Sequence, residues 1–227
     1  MSRTWIKICG IKTPEMALVA ADAGADAIGL VFVEKSPRYV TMNEAGAVIA
    51  AVPPSVEPIG LFVDAPIDDI RRTAVQLGLR TIQLHGSETP QYVRDLAPLR
   101  VIKAFGFDTN TIDAVLRPWR DARVDNLEAI LIDTPAADAD AKKQLTGGSG
   151  RAIDWSAVAE AKKRRAFDGL PPLILAGGLT SEGVDSAIRT VRPYGVDVSS
   201  GVESSRGVKD AGLVRACCEA VRRASDG

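Results

Sequence analysis

The chain places a thiol, a carboxylic acid, a guanidinium and two glycine- and serine-rich turns at points where short apolar runs end. The thiol is Cys9, in Lys7-Ile8-Cys9-Gly10. A free thiol has a pKa of about 8.5 and becomes a useful base only where exposure and a nearby cation favour the thiolate. Taken alone, a Cys closing a strand is most often a small buried residue. Alternation with a period of two puts Trp5, Lys7 and Cys9 on one face. If Cys9 looks into a site, Lys7 therefore lies one layer deeper. The acid is Asp133, closing Ile130-Leu131-Ile132-Asp133. No local group caps it, so it is a ligand-facing acid or a partner for a neighbouring loop, and the first reading is preferred. Arg38 sits in Ser36-Pro37-Arg38, a Pro-stiffened loop suited to bidentate capture of a carboxylate. An isolated Arg of this kind is usually just a solvated charge. His85 also ends an apolar run, and it reads as pocket-lining or supporting before it reads as an acid or base.

The two turns are Leu175-Ala176-Gly177-Gly178-Leu179-Thr180 and Val198-Ser199-Ser200-Gly201-Val202-Glu203. Glycines let backbone N–H groups approach an anion, so Gly177, Gly178, Ser200 and Gly201 are candidate phosphate donors. Two ordinary turns are the plainer alternative. Alternation also groups Lys103 with Val101 and Phe105, and Asp197 with Ser199. Lys7, Lys103 and Asp197 could then all point inward and pair beneath a ligand, since a lone buried charge costs several kcal/mol. The other reading turns one or both lysines outward, between helices.

Eight strand-like runs must position these groups: Trp5–Cys9, Ala27–Phe32, Pro58–Val63, Thr81–His85, Val101–Phe105, Ala129–Asp133, Pro172–Ala176 and Gly195–Ser199. Helical stretches separate most of them. Thr13-Pro14, the capping-box spacing Thr41 to Glu44, Ala65-Pro66, Asp154 and Thr180 are helix-start signals. The last helix is expected over about Lys209 to Ala224, with Cys217 and Cys218 in its buried stripe. Continuous apolar strands alternating with helices predict a parallel, helix-covered sheet. Eight units in 227 residues predict one α/β domain over 1–227, a closed (β/α)₈ or TIM barrel. Its chemistry belongs at the C-terminal ends of the strands, where Cys9, Arg38, Asp64, His85, Asp133 and the two turns fall. Phosphate commonly sits after strands seven and eight. Residues 134–151 show no periodicity, and a loop this long is usually a functional lid or disordered.

Lys plus Arg total 28 against 29 Asp plus Glu, a net charge of -1, which gives no reason to expect nucleic acid or an anionic membrane as partner. No apolar run resembles a signal peptide or a membrane span. Three Cys without Cys-x-x-Cys spacing, and one His, predict a cytoplasmic protein with no disulfide framework and no structural metal.

Taken together, the motifs resemble the phosphoribosylanthranilate isomerase family of tryptophan biosynthesis. They are Lys7-Ile8-Cys9-Gly10-Ile11, Ser36-Pro37-Arg38, Gly60-Leu61-Phe62-Val63, Gln83-Leu84-His85-Gly86, Leu131-Ile132-Asp133-Thr134, Gly147-Gly148-Ser149-Gly150 with Asp154-Trp155, Leu175-Ala176-Gly177-Gly178-Leu179, and Asp197-Val198-Ser199-Ser200-Gly201-Val202-Glu203. They occur in family order. The resemblance implies an Amadori rearrangement without cofactor or metal. N-(5′-phosphoribosyl)anthranilate becomes 1-(2-carboxyphenylamino)-1-deoxyribulose 5-phosphate. It implies Asp133 as general acid and Cys9 as general base. Arg38 would hold the anthranilate carboxylate, and Gly177, Gly178, Ser200 and Gly201 the phosphate. Lys7, His85 and Asp197 would line or support the pocket. The partner is then a small phosphosugar, bound by a monomer or homodimer. Ser149 stands where the family commonly has Thr, and Ile153 where an aromatic is common. The rivals are a bifunctional histidine- and tryptophan-pathway isomerase, less expected because the related histidine-pathway isomerase typically carries a carboxylate where Cys9 stands, and a non-catalytic phosphosugar-binding barrel, which would be expected to have lost the acid or the base. Indole-glycerol-phosphate synthases want catalytic Lys and Glu in a longer chain, and sugar-phosphate epimerases want several metal-binding His.

Overall fold

In the computed structural model, which describes residues 3–134 and 153–225, the eight apolar runs pair in chain order and close on themselves. The strands are β1 (Trp5–Cys9), β2 (Ala27–Val31), β3 (Glu57–Phe62), β4 (Thr81–Leu84), β5 (Arg100–Gly106), β6 (Leu127–Asp133), β7 (Leu173–Leu175) and β8 (Gly195–Val198). All neighbours are parallel, and β1 closes the ring against β8 with Lys7 opposite Asp197. Each strand is followed by a helix: α1 (Pro14–Asp22), α2 (Met42–Ala51), α3 (Ile67–Leu77), α4 (Pro90–Asp95), α5 (Ile112–Ala122), α6 (Trp155–Lys163), α7 (Val184–Val191) and α8 (Ala211–Ser225).

The helix starts follow the local chemistry. Thr13 Oγ1 accepts from Met16 N at 3.3 Å, with Pro14 in the first turn. Thr41 and Glu44 form the expected capping box. Asp154 accepts from Ser156 N at 2.9 Å. Thr180 differs: its hydroxyl accepts from Gly183 N, so it closes the turn before α7, whose flanking residue is Gly183. The last helix also starts later than expected. Asp210 caps it through Leu213 N at 2.8 Å. Before that cap, β9 (Glu203–Ser205) and β10 (Val208–Lys209) form a small antiparallel ribbon. Lys209 thus belongs to the ribbon and not to the helix.

The two faces of each strand bury different layers. Outward residues such as Ile6, Ile8, Ile28, Leu30, Ile130 and Ile132 pack against the helices. Inside, Ala27, Ile59, Ile102, Ala129, Leu131, Ile174 and Ala176 fill the barrel. Each fully buried aliphatic side chain contributes roughly 1.5–3 kcal/mol. Cys217 and Cys218 are buried on α8, as their spacing predicts. Among the described residues no helix is long and apolar enough to cross a membrane.

Candidate active site

The C-terminal ends of the strands surround an open cavity of about 560 Å³. Cys9, Arg38, His85, Asp133, Gly177, Gly178, Asp197 and Ser200 all line it. Lys7 lies directly beneath, with no exposed surface. Gly201 belongs to the 3₁₀ turn Ser200–Val202 on the rim, packed so closely on the Leu179 carbonyl that a side chain there would collide with it.

Cys9 ends β1 and is 5% exposed. Burial pushes its thiol above the ordinary value, opposed most by the Lys7 ammonium, while the Asp197 carboxylate adds to the rise and Lys209 counters it. Lys7 Nζ lies 2.8 Å from Asp197 Oδ2. Burial alone would lower Lys7, but Asp197 and Cys9 outweigh it and leave the lysine raised and cationic. So Lys7 and Asp197 do pair below the cavity.

Lys103 does not join them. It faces outward with Val101 and Phe105, where Phe105 meets Trp119 of α5 edge-on at 5.3 Å between ring centroids. Its ammonium is bound by Glu88 at 3.1 Å and by the Gly86 carbonyl at 2.8 Å. Glu88 in turn accepts from Asp64 N and Gly86 N. This cluster braces the loops after β3 and β4. It also takes Asp64 away from the mouth, onto Ser87.

Asp133 ends β6, three strands round the ring from β1. Its Oδ1 accepts from Thr134 N at 2.6 Å, and Oδ2 stands 3.3 Å from His85 Nε2. Gln83 Nε2 approaches His85 Nδ1 at 3.5 Å. His85 thus supports the acid from the cavity wall. Gly177 holds this corner open: its φ is +86°, and a Cβ there would stand 2.7 Å from Asp133 Oδ1 and 2.6 Å from Thr134 N. Among the described residues no acceptor takes up the backbone N–H groups of Gly177, Gly178, Ser200 or Gly201. Two acceptors on the cavity wall, Asp197 Oδ1 and Gln83 Oε1, are buried with no hydrogen-bond partner among the described residues.

Arg38 is held where the loop reading places it, by groups that reading assigns no task. Glu203 grips it in a fork, Nε to Oε1 at 2.7 Å and Nη2 to Oε2 at 2.9 Å. Lys209 binds the same carboxylate at 2.7 Å and the Ser199 carbonyl at 2.8 Å, and Ser199 Oγ donates to the Cys9 carbonyl at 3.1 Å. Burial works against an ionised Glu203, yet the bonds from Arg38 and Lys209 hold its carboxyl at about 2. The network ties the loop after β2 to the ends of β1 and β8. Asp210, a good N-cap residue, was the signal that would have freed Lys209 from the helix. Among the described residues no group of three or more His, Cys, Asp or Glu is placed to hold a metal. The expected lid, 134–151, and the Gly147–Gly150 motif lie outside the described residues except for Thr134.

The family model described as "N-(5'phosphoribosyl)anthranilate (PRA) isomerase" matches residues 6–220. Among curated relatives, the N-(5'-phosphoribosyl)anthranilate isomerase of Geobacter sulfurreducens is 46% identical over 220 residues, 96% of this chain and 97% of that one. That of Pseudomonas syringae pv. syringae is 44% identical, covering 97% and 98%. Among solved structures, the phosphoribosyl anthranilate isomerase from Thermotoga maritima superposes with a TM-score of 0.83 at 36% identity, covering 97% of this chain and 99% of that one. A phosphoribosyl anthranilate isomerase in complex with reduced 1-(o-carboxyphenylamino)-1-deoxyribulose 5-phosphate gives a TM-score of 0.80 at 34% identity, with the same coverage.

Proposed function

We propose that this chain, which belongs to the N-(5′-phosphoribosyl)anthranilate isomerase family, converts N-(5′-phosphoribosyl)anthranilate into 1-(2-carboxyphenylamino)-1-deoxyribulose 5-phosphate with Asp133 as acid and Cys9 as base. One observation carries the reading: the thiol and the carboxyl group line one cavity, on different strands, beside a cradle of backbone N–H groups that no acceptor takes up among the described residues.

The chemistry follows from that arrangement. The substrate phosphate binds at Gly177, Gly178, Ser200 and Gly201, whose N–H groups point at an anion without needing a cationic side chain. The anthranilate carboxylate lies toward Arg38, in the loop after β2. Anchoring both ends supplies orientation. Asp133, protonated, gives its proton to the furanose ring oxygen as the anthranilate nitrogen expels it, opening the ring to a Schiff base. The Cys9 thiolate then takes the proton from C2′. The resulting enolamine tautomerises to the ketone, so no atom is gained or lost overall. Donor and acceptor of protons act at different atoms, which suits residues on separate strands. Each such group supplies roughly 10²–10⁴-fold in rate. The orphaned Asp197 Oδ1 and Gln83 Oε1 suit sugar hydroxyl donors, since a buried acceptor left unpaired costs about 1–3 kcal/mol. The enzyme is proposed to act in the cytoplasm, as a monomer or homodimer.

Fluorescence turnover of phosphoribosylanthranilate tests the assignment. Cys9→Ser and Asp133→Asn should each lose activity by about two to four orders of magnitude while still binding a product analogue. Unchanged turnover in both variants rejects the roles.

A further inference from the structure

The proposed chemistry assigns no task to Lys7. A lysine with no exposed surface, on the inner face beneath the reactive thiol, is costly to keep unless its charge is paired. Asp197 Oδ2, at 2.8 Å, is one partner. Cys9 Sγ lies beside the ammonium against the same residue of the next strand, and each favours the charged form of the other. The adjacent strand makes room for that contact by carrying glycine: a Cβ at Gly29 would stand 2.6 Å from Cys9 Sγ and 3.1 Å from Lys7 Nζ. Thiol and ammonium therefore share a niche walled on that side by bare backbone.

We propose that Lys7 is a positioning residue for the reaction, its ammonium anchored by Asp197 and serving as the counter-ion that stabilises and aims the Cys9 thiolate. This rests on the reading of Cys9 as the base. The charges acting on the thiol are Lys7 on β1, Asp197 on β8 and Lys209 on β10, and Arg38, His85 and Asp133 line the same cavity. Of the groups that favour the thiolate, Lys7 acts most strongly. Asp197 has a double effect: it fixes the lysine and offsets part of its charge.

That double effect makes the test one of sign. The Cys9 thiolate is titrated in the ligand-free protein by its ultraviolet absorbance, with Cys9→Ser as blank. Lys7→Met should move the midpoint up by about 1–3 pH units, the effect of losing one opposite charge within about 4–6 Å. Asp197→Asn should move it down, because the lysine is then no longer offset. The acid limb of kcat/KM should follow both shifts. A Lys7 that serves packing alone would lower stability and leave the titration in place, so a folded Lys7→Met that titrates with the wild type overturns the proposal. Where Lys7→Met does not fold, Asp197→Asn decides, and a midpoint that fails to fall overturns it equally. Because the titration needs no turnover, a fully active Cys9→Ser would remove the base reading and leave the thiol–lysine coupling standing.

Discussion

The Arg38–Glu203–Lys209 network gives the sharpest prediction. Glu203→Gln keeps the shape of the side chain and removes its charge, leaving two buried cations that faced one carboxylate. The side chains of Arg38, Glu203 and Lys209 are 6%, 4% and 2% exposed. Breaking a buried pair by removing one partner costs about 3–5 kcal/mol. A second route gives a similar size. The Glu203 carboxyl is held at about 2 against an ordinary 4.5, and at about 1.4 kcal/mol per pH unit that difference corresponds to about 3 kcal/mol at neutral pH. The folded value is depressed, so this stability is present above the unfolded value and is lost as pH falls toward the folded one. By about pH 3.5 the contribution should have shrunk to about 2 kcal/mol. For a chain of this length, 1 kcal/mol moves Tm by roughly 2–4 °C, so Glu203→Gln should melt about 6–12 °C below wild type at pH 7. Urea unfolding at pH 7 and at pH 3.5 measures both numbers. A Tm difference under about 2 °C, or a gap that widens on acidification, refutes the electrostatic reasoning.

Other substitutions separate the parts of the site. Gly177→Ala meets both a φ of +86° and a carboxylate oxygen 2.7 Å from the new Cβ, so kcat should fall by at least tenfold as Asp133 is displaced, measured by fluorescence turnover. Lys103→Met leaves the buried Glu88 its two backbone donors but no cation, so it should cost about 3–5 kcal/mol in urea unfolding with kcat unchanged; a large loss of kcat in folded protein would contradict its outward placement. Arg38→Lys gives up the fork onto Glu203 and should raise KM more than it lowers kcat, as steady-state kinetics would record.

The barrel was legible because its signals are redundant. Eight apolar runs, each close to a strand in the structure, recur with helix-start chemistry between them, and an error at one boundary leaves the ring intact. The mouth was legible for a related reason: in this fold the position of a residue along its strand already says whether it reaches the site. Cys9, Asp133, His85 and the two turns needed only that rule. Arg38 lines the cavity, as its loop position predicts, but its anchors leave no such signal. Glu203 and Lys209 sit on a short ribbon whose two-residue strand β10 is too brief to leave a periodic pattern, and Lys209 was absorbed into the helix that Asp210 actually starts.

Lys103 shows where the period-two argument stops. Alternation correctly groups it with Val101 and Phe105, but alternation says only which residues share a face, never which face that is. In a half-exposed sheet the polar residues mark the outside. Here both faces of β5 are apolar, as in parallel strands generally, and the contrast is gone. What fixes the face is Trp119 on α5, against which Phe105 packs. Lys103 must then look outward, and Glu88 is there to meet it. Lys7 carries the same ambiguity in sequence, and in the structure Ile6 and Ile8 supply the outward apolar stripe of β1, which leaves Lys7 and Cys9 inside. Two lysines with equally apolar neighbours in sequence therefore do opposite jobs, one bracing loops behind the barrel wall and one charging its interior, and the difference is decided by a helix residue sixteen positions away from the lysine it places.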